Sequence, residues 1–142
     1  MTDGMTRPTR ALTLAGARAA LDAALARAEE IDARMNVAVV DAGGTIVAFA
    51  RMDGAFNLSG GIARDKAKTV VGFGGVPSAG LYEGLKDEPA VRDGIANREG
   101  VAAFGGGVPI VVDGELVGAV GASGGSAEED TQVAQAGADA LA

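Results

Sequence analysis

The 142-residue sequence contains no cysteine, no histidine and no tryptophan, and only one tyrosine and four phenylalanines. Each absence removes a class of chemistry. Without cysteine there is no disulfide framework, no thiol nucleophile and no thiolate metal site. Without histidine, the commonest general base near neutral pH and the commonest metal ligand are both missing. Ser-His-Asp and Cys-His catalysis are therefore excluded, and no metal site is expected. No stretch approaches the roughly 18–20 uninterrupted apolar residues of a membrane-spanning helix, so no membrane partner is expected. Basic residues are few and scattered, 12 against 19 acidic, for a formal net charge of −7. Nucleic acid needs a basic footprint to neutralise its phosphates and is not an expected partner either. The opening Met1-Thr2-Asp3-Gly4 lacks the basic start and apolar centre of a secretory signal, which makes the cytoplasm the expected location.

What is present is small and apolar. Hydrophobic residues make up 48% of the chain, and alanine and valine supply most of them, with 23 glycines besides. The length suits one domain, since domains cluster around roughly 100–150 residues. A core of small side chains lets backbones approach closely but buries little area per residue. At roughly 25 cal/mol per Å² of buried apolar surface, such a monomer is expected to gain stability by association.

Residues 1–11 read as a flexible lead-in, and residues 12–142 as a single domain. Thr13 is placed to cap a helix whose apolar positions Leu14, Ala17, Leu21, Ala24, Leu25, Ala28 and Ile31 follow helical spacing. Val37 to Asp41 and Ile46 to Met52 are β-rich runs joined through Ala42-Gly43-Gly44, the pattern of a hairpin. Ile110-Val111-Val112, the turn dipeptide Asp113-Gly114 and Glu115 to Val120 predict a second hairpin. Between them a helix is predicted from Ser59 to Val71, capped by Asn57 or Ser59, with a short helix near Leu81 to Lys86 and breaks at Pro77 and Pro89. A last helix opens at Ser126 with Glu129 at capping-box spacing. The order helix, hairpin, helices, hairpin, helix predicts an α+β fold, an antiparallel sheet covered by helices.

Lys66 is the strongest anomaly. On a helical wheel it falls among Ile62, Ala63, Ala67, Val70 and Val71, on the face that should pack. A lysine there must pair, snorkel, or lose its proton more easily. It is either a pocket cation or proton-transfer group, or half of a structural ion pair. Two phrases, Phe73-Gly74-Gly75-Val76-Pro77 and Phe104-Gly105-Gly106-Gly107-Val108-Pro109, echo each other. They read equally as pocket wall and as chain reversals, each with its Phe anchored in the core. Ser123, Gly124 and the amides that follow offer an anion seat at a helix N-terminus, or else mark close packing. Asp53 is placed to pair with Lys66 or to act as turn chemistry, and Tyr82 and Glu83 to overhang a pocket.

Taken together, Asn36 to Gly44, Arg51-Met52-Asp53-Gly54, Asp65-Lys66-Ala67, Phe104 to Ile110 and Gly118 to Gly125 resemble, in order and spacing, the haem-binding GlcG/HbpS-like family. That family includes the C-terminal domain of PduO-type proteins. The resemblance runs from about Leu12 to Leu141. It implies a profilin-like fold with a five-stranded antiparallel sheet between helices, in homo-oligomers such as dimers, tetramers or octamers. It also implies a small-molecule pocket near Asp53, Lys66, Phe104 to Gly107, Pro109 and Ser123, and haem binding or degradation. Haem iron is usually held by His, Cys, Met or Tyr. Here ligation would fall to Tyr82, a Met or a weak oxygen donor, with Lys66, Arg51 and Arg98 available to the propionates. The alternative is a histidine-free enzyme acting on a small carboxylate or carbonyl metabolite by isomerisation, hydration or elimination. In it Lys66 binds or moves a proton, Asp53 or Glu83 is the partner carboxylate, and the glycine amides hold an oxyanion. A non-catalytic accessory subunit is the remaining reading.

Overall fold

The structure, a computed structural model, describes residues 4–142, so the first three residues of the expected lead-in lie outside the described residues. At the other end of that segment, Arg10 is tied to the second hairpin: its guanidinium lies 3.0 Å from Asp113 and its N–H donates to Glu115 at 2.7 Å.

Nine elements follow: α1 (Leu14–Glu30), β1 (Asn36–Asp41), β2 (Ile46–Arg51), α2 (Ser59–Gly72), α3 (Ser78–Gly84), α4 (Pro89–Ala96), β3 (Gly107–Val112), β4 (Glu115–Ser123) and α5 (Ala127–Asp139). Thr13 caps α1 by accepting from the Gly16 N–H, and Ser126 and Glu129 form the reciprocal capping box of α5. Both ends were legible because a capping oxygen answers N–H groups that the helix itself leaves free. The turn between β3 and β4 puts Asp113 and Gly114 both at positive φ, as a tight hairpin requires.

The sheet is antiparallel, in the order β2-β1-β4-β3. It has four strands, which corrects the expected five. The fifth came from the family resemblance alone; the chain carries four β-rich runs, and the stretch between the hairpins goes into α2, α3 and α4. Helix α4 was not expected, because Pro89 was read as a break. It stands instead in the first turn of the helix, where its missing N–H costs nothing. Nor is α2 capped by Asn57 or Ser59: its N-cap is Leu58, which makes no side-chain capping bond, while Asn57 accepts from Arg51 at 2.7 Å.

Alternation along the strands divides the core into two layers. Val37, Val39, Val120 and Ala122 join the alanine stripe of α1 (Ala17, Ala20, Ala24, Ala28) and Val133, Ala134 and Ala138 of α5. Val40 and Ala119 join Ala67 and Val70 of α2 on the opposite face. Small residues let these layers close tightly. A Cβ on Gly121 would collide with the backbone of Ala63 and Ala67, so α2 sits directly on β4. Among the described residues, no helix is long and apolar enough to cross a membrane.

Candidate functional site

Lys66 does turn inward. The middle of α2 packs on β4, and the Lys66 side chain runs past Gly106, just before β3, toward α5 in the other layer. Its Nζ donates to Asp130 Oδ2 at 2.8 Å and to the Ala122 carbonyl at 3.0 Å, and lies 4.9 Å from the centroid of the Phe104 ring. The residue is only 1% exposed. Desolvation pushes its pKa below the ordinary lysine value, against the opposing pull of the Asp130 hydrogen bond and charge. The other oxygen of Asp130 accepts from the Gly125 N–H at 2.8 Å. The pair is thus both ionic and hydrogen-bonded on each side, the condition under which charges tolerate burial.

The carboxylate beside Lys66 is therefore Asp130, and the expected pairing with Asp53 is corrected. Asp53 follows β2 at a separate polar cleft that it shares with Glu29, Asp32 and Arg51, where its carbonyl accepts from Arg34. Glu83 is exposed and pairs with Lys86 at 2.8 Å. The start of α5, read as an anion seat or as close packing, is closely packed. Its amides are taken by the protein's own carboxylates, Gly125 N–H by Asp130 and Ser126 N–H by Glu129. Ser123 is buried on β4 opposite Asn36, and Gly124 packs against the backbone of Arg34 and Met35.

Phe104 supplies the next step outward. Neither Phe73 nor Phe104 is a core anchor; they are 37% and 51% exposed. The Phe104 backbone is fixed by Ser78, whose hydroxyl donates to the Phe104 carbonyl at 2.7 Å and accepts from the Gly107 N–H at 2.8 Å. One side of the ring covers Lys66. The ring also lines a cleft of about 620 Å³ with Tyr82, Glu83, Gly105, Glu128 and Thr131, walled otherwise by Ala79, Ala96, Val101, Ala103 and Ala127. That size lies within the roughly 300–1,000 Å³ of small-molecule pockets. Gly105 is confined there by close approach: a Cβ would meet the Ala127 carbonyl and Thr131 Oγ1, both at 2.9 Å. The Arg92 guanidinium stacks on Tyr82, 4.8 Å from the ring centroid.

The structure therefore gathers Tyr82, Glu83, Phe104 and Gly105 around one cleft and places Lys66 and Gly106 immediately behind it. Pro109 lies farther along β3 against Gly75, and Asp53, Ser123 and Gly124 do not line the cleft. Of the cations expected for propionates, Arg51 and Arg98 line other clefts and Lys66 is sealed. Sequence reasoning missed Asp130, Arg92, Glu128 and Thr131. Asp130 sits among three acidic residues in the first turn of α5 and reads as a helix-dipole partner, with nothing local to mark it as buried.

A tetrapyrrole fits this donor set in kind. The walls are mostly small and apolar, two half-exposed aromatic rings line them, and the Tyr82 phenol is of a type that ligates haem iron. Among the described residues, no group of three or more His, Cys, Asp or Glu is arranged to hold a bare metal ion.

Comparison with known proteins gives the same direction. Residues 12–139 match the family model described as haem degrading protein HbpS-like. An uncharacterised 15.0 kDa protein of the dhaT-dhaS intergenic region of Citrobacter freundii is 35% identical over 137 residues, covering 90% of each chain. The crystal structure of a double mutant of HbpS from Streptomyces reticuli superposes with a TM-score of 0.86 at 32% identity, covering 100% of this chain and 94% of that one. A crystal structure of a PduOC:heme complex superposes with a TM-score of 0.84, also at 32% identity, covering 93% and 96%.

Proposed function

This chain belongs to the GlcG/HbpS-like family, whose family model is that of haem-degrading proteins, and from that premise we propose that it binds a haem-type tetrapyrrole in the cleft between α3, α4 and the start of α5. The observation that carries this reading is the presence of two exposed aromatic rings, Tyr82 and Phe104, in one cleft of about 620 Å³ walled by alanine and valine. Apolar walls of small side chains admit a flat ring system, and exposed aromatic faces stack on it. The Tyr82 phenol would supply an oxygen donor to the iron, and Arg92, stacked on that ring, would be a cation at hand for a propionate. The relative solved as a haem complex shares the fold at 32% identity, which supports the assignment.

When bound, haem supplies the iron at which redox chemistry takes place. The chain's own residues bind, orient and shield it. Phe104 covers one face of the site, Gly105 keeps the wall thin, and Lys66 with Asp130 fixes the layer behind. Lys66 is a positioning residue in this scheme, because its ammonium is sealed. An enzyme acting on a small carboxylate or carbonyl compound needs an accessible ammonium with a carboxylate beside it in the cleft, and finds less support.

Self-association belongs to the same proposal. Ile46 and Phe49 on the edge strand β2 are 42% and 43% exposed, and Phe56 and Leu58, just before α2, are 70% and 85% exposed. Large apolar side chains left in water near one edge of the sheet favour an interaction surface, and a second copy of this chain is its occupant.

Titration with haemin tests the binding. A saturable shift of the Soret band near one equivalent per chain is expected; a shift that grows linearly without saturating contradicts it.

A further inference from the structure

Phe104 occupies an unusual position: it is held on its buried side by a cation and is half exposed on the other. Behind it, the Lys66 ammonium has three N–H groups. One goes to Asp130, one to the Ala122 carbonyl, and Phe104 covers what remains. In front of it lies the cleft, which Phe104 lines and Lys66 does not. Ser78 pins the backbone at the Phe104 carbonyl and at the Gly107 N–H, and before the ring the Ala102 N–H donates to Thr69, so the ring swings about its side-chain torsions without moving the loop. Half-exposed side chains change rotamer on a picosecond-to-nanosecond scale.

We propose that Phe104 is a gate between the cleft and the buried Lys66–Asp130 pair, and that with the ring swung out the third N–H of Lys66 is offered to a neutral oxygen acceptor on the cleft ligand. The acceptor is neutral because Lys66 and Asp130 already balance in charge. A second carboxylate at the same ammonium would face Asp130 at short range and be repelled. A carbonyl oxygen meets the requirement. Open-chain tetrapyrroles carry such oxygens as terminal lactams, whereas the polar groups at the rim of an intact haem are acids alone. The gate thus distinguishes a cleaved tetrapyrrole from a closed one. The acceptor assignment rests on the tetrapyrrole reading given above; the gate itself does not.

Gly106 makes the arrangement specific. A Cβ there would stand 2.6 Å from Lys66 Nζ and 2.6 Å from the Ala122 carbonyl, at a φ of +130°. Only a bare backbone leaves room for the ammonium to sit behind the ring. Desolvation, which lowers the Lys66 pKa, also makes its amine a better nucleophile once reagent reaches it.

Reductive methylation of the whole chain with formaldehyde and dimethylamine-borane, read residue by residue by mass spectrometry, tests the gate. The exposed Lys68 and Lys86 are internal standards. In the wild type Lys66 is expected to react at least tenfold more slowly than either. Phe104→Ala should raise its rate at least tenfold, and the milder Phe104→Val should fall between. A Lys66 rate unchanged in both variants overturns the gate. Biliverdin, with two lactam carbonyls, is the ligand probe. At saturation it should protect Lys66 in Phe104→Ala at least fivefold, and haemin should protect it less. Equal labelling with and without bound biliverdin overturns the acceptor assignment while leaving the gate. Failure of both pigments to bind removes the tetrapyrrole reading and the acceptor assignment with it, and the gate then stands or falls on the methylation rates alone.

Discussion

Lys66 of α2 and Asp130 of α5 meet at 2.8 Å although they come from opposite layers of the fold, 64 residues apart in the chain. The contact lies directly behind the Phe104 ring that lines the cleft. Side-chain exposures of 1% and 5% place both charges out of water. A pair in that position is costly to form and costlier to halve.

Asp130→Asn therefore tests what the pair does. The replacement amide oxygen still accepts from the Gly125 N–H, so its NH2 group takes the place of Oδ2 and the buried ammonium loses both the opposite charge and the acceptor. A destabilisation of about 3–5 kcal/mol is expected, read from chemical denaturation. Lys66→Met combined with Asp130→Asn should recover much of it, with a coupling of about 1–3 kcal/mol in the double-mutant cycle. Additive single effects would show that the two groups act independently.

The pH dependence has a defined sign. Burial holds the Lys66 pKa below its ordinary value of 10.5, with Asp130 opposing. Between the lowered folded value and the ordinary unfolded one, the unfolded chain binds more protons than the native protein. Stability due to Lys66 therefore rises with pH through that window and is flat below it. Other groups titrate there too, so the measure is the difference between wild type and Lys66→Met in denaturation midpoints from neutral pH upward to the ordinary lysine value of 10.5. A wild-type advantage that shrinks as pH rises would mean that Asp130, not desolvation, dominates.

Gly121→Ala probes the close approach of α2 to β4. The added methyl would strike the backbone of Ala63 and Ala67, which cannot yield as a flexible side chain would. A loss of at least about 1–3 kcal/mol, the range for overpacking, should appear as a lower thermal midpoint. An unchanged midpoint would mean that α2 shifts freely on the sheet.

Leu58→Glu, at an 85% exposed position, should leave the stability of the monomer within about 0.5 kcal/mol of wild type yet reduce the assembly seen by sedimentation velocity. Unchanged sedimentation would place any self-association elsewhere.

How far this was legible in the sequence depends on range. Thr13, the Ser126–Glu129 box and Asp113-Gly114 act within a few residues of themselves, and each appears where the sequence put it. The inward turn of Lys66 was legible too, because helical periodicity assigns a face without knowledge of what lies opposite. Its partner was not. Asp130 looks like any acid in the first turn of a helix, and only the packing of α5 against β4 buries it. Phe104 stayed open between pocket wall and core anchor for the same reason: an aromatic beside glycines buries its ring if a partner layer covers it, and here the cleft lies there instead. Pro89 shows the local limit, since one residue serves equally to end a helix and to start one.

Haemin titration of Ala127→Trp beside the wild type bears most directly on the cleft as the ligand site. Ala127 is exposed on the wall facing the cleft, so an indole there fills space without entering the core. Saturable binding to the wild type near one equivalent, weakened at least tenfold in the variant with an unchanged thermal midpoint, is the predicted result. Equal affinity in the two proteins would contradict it.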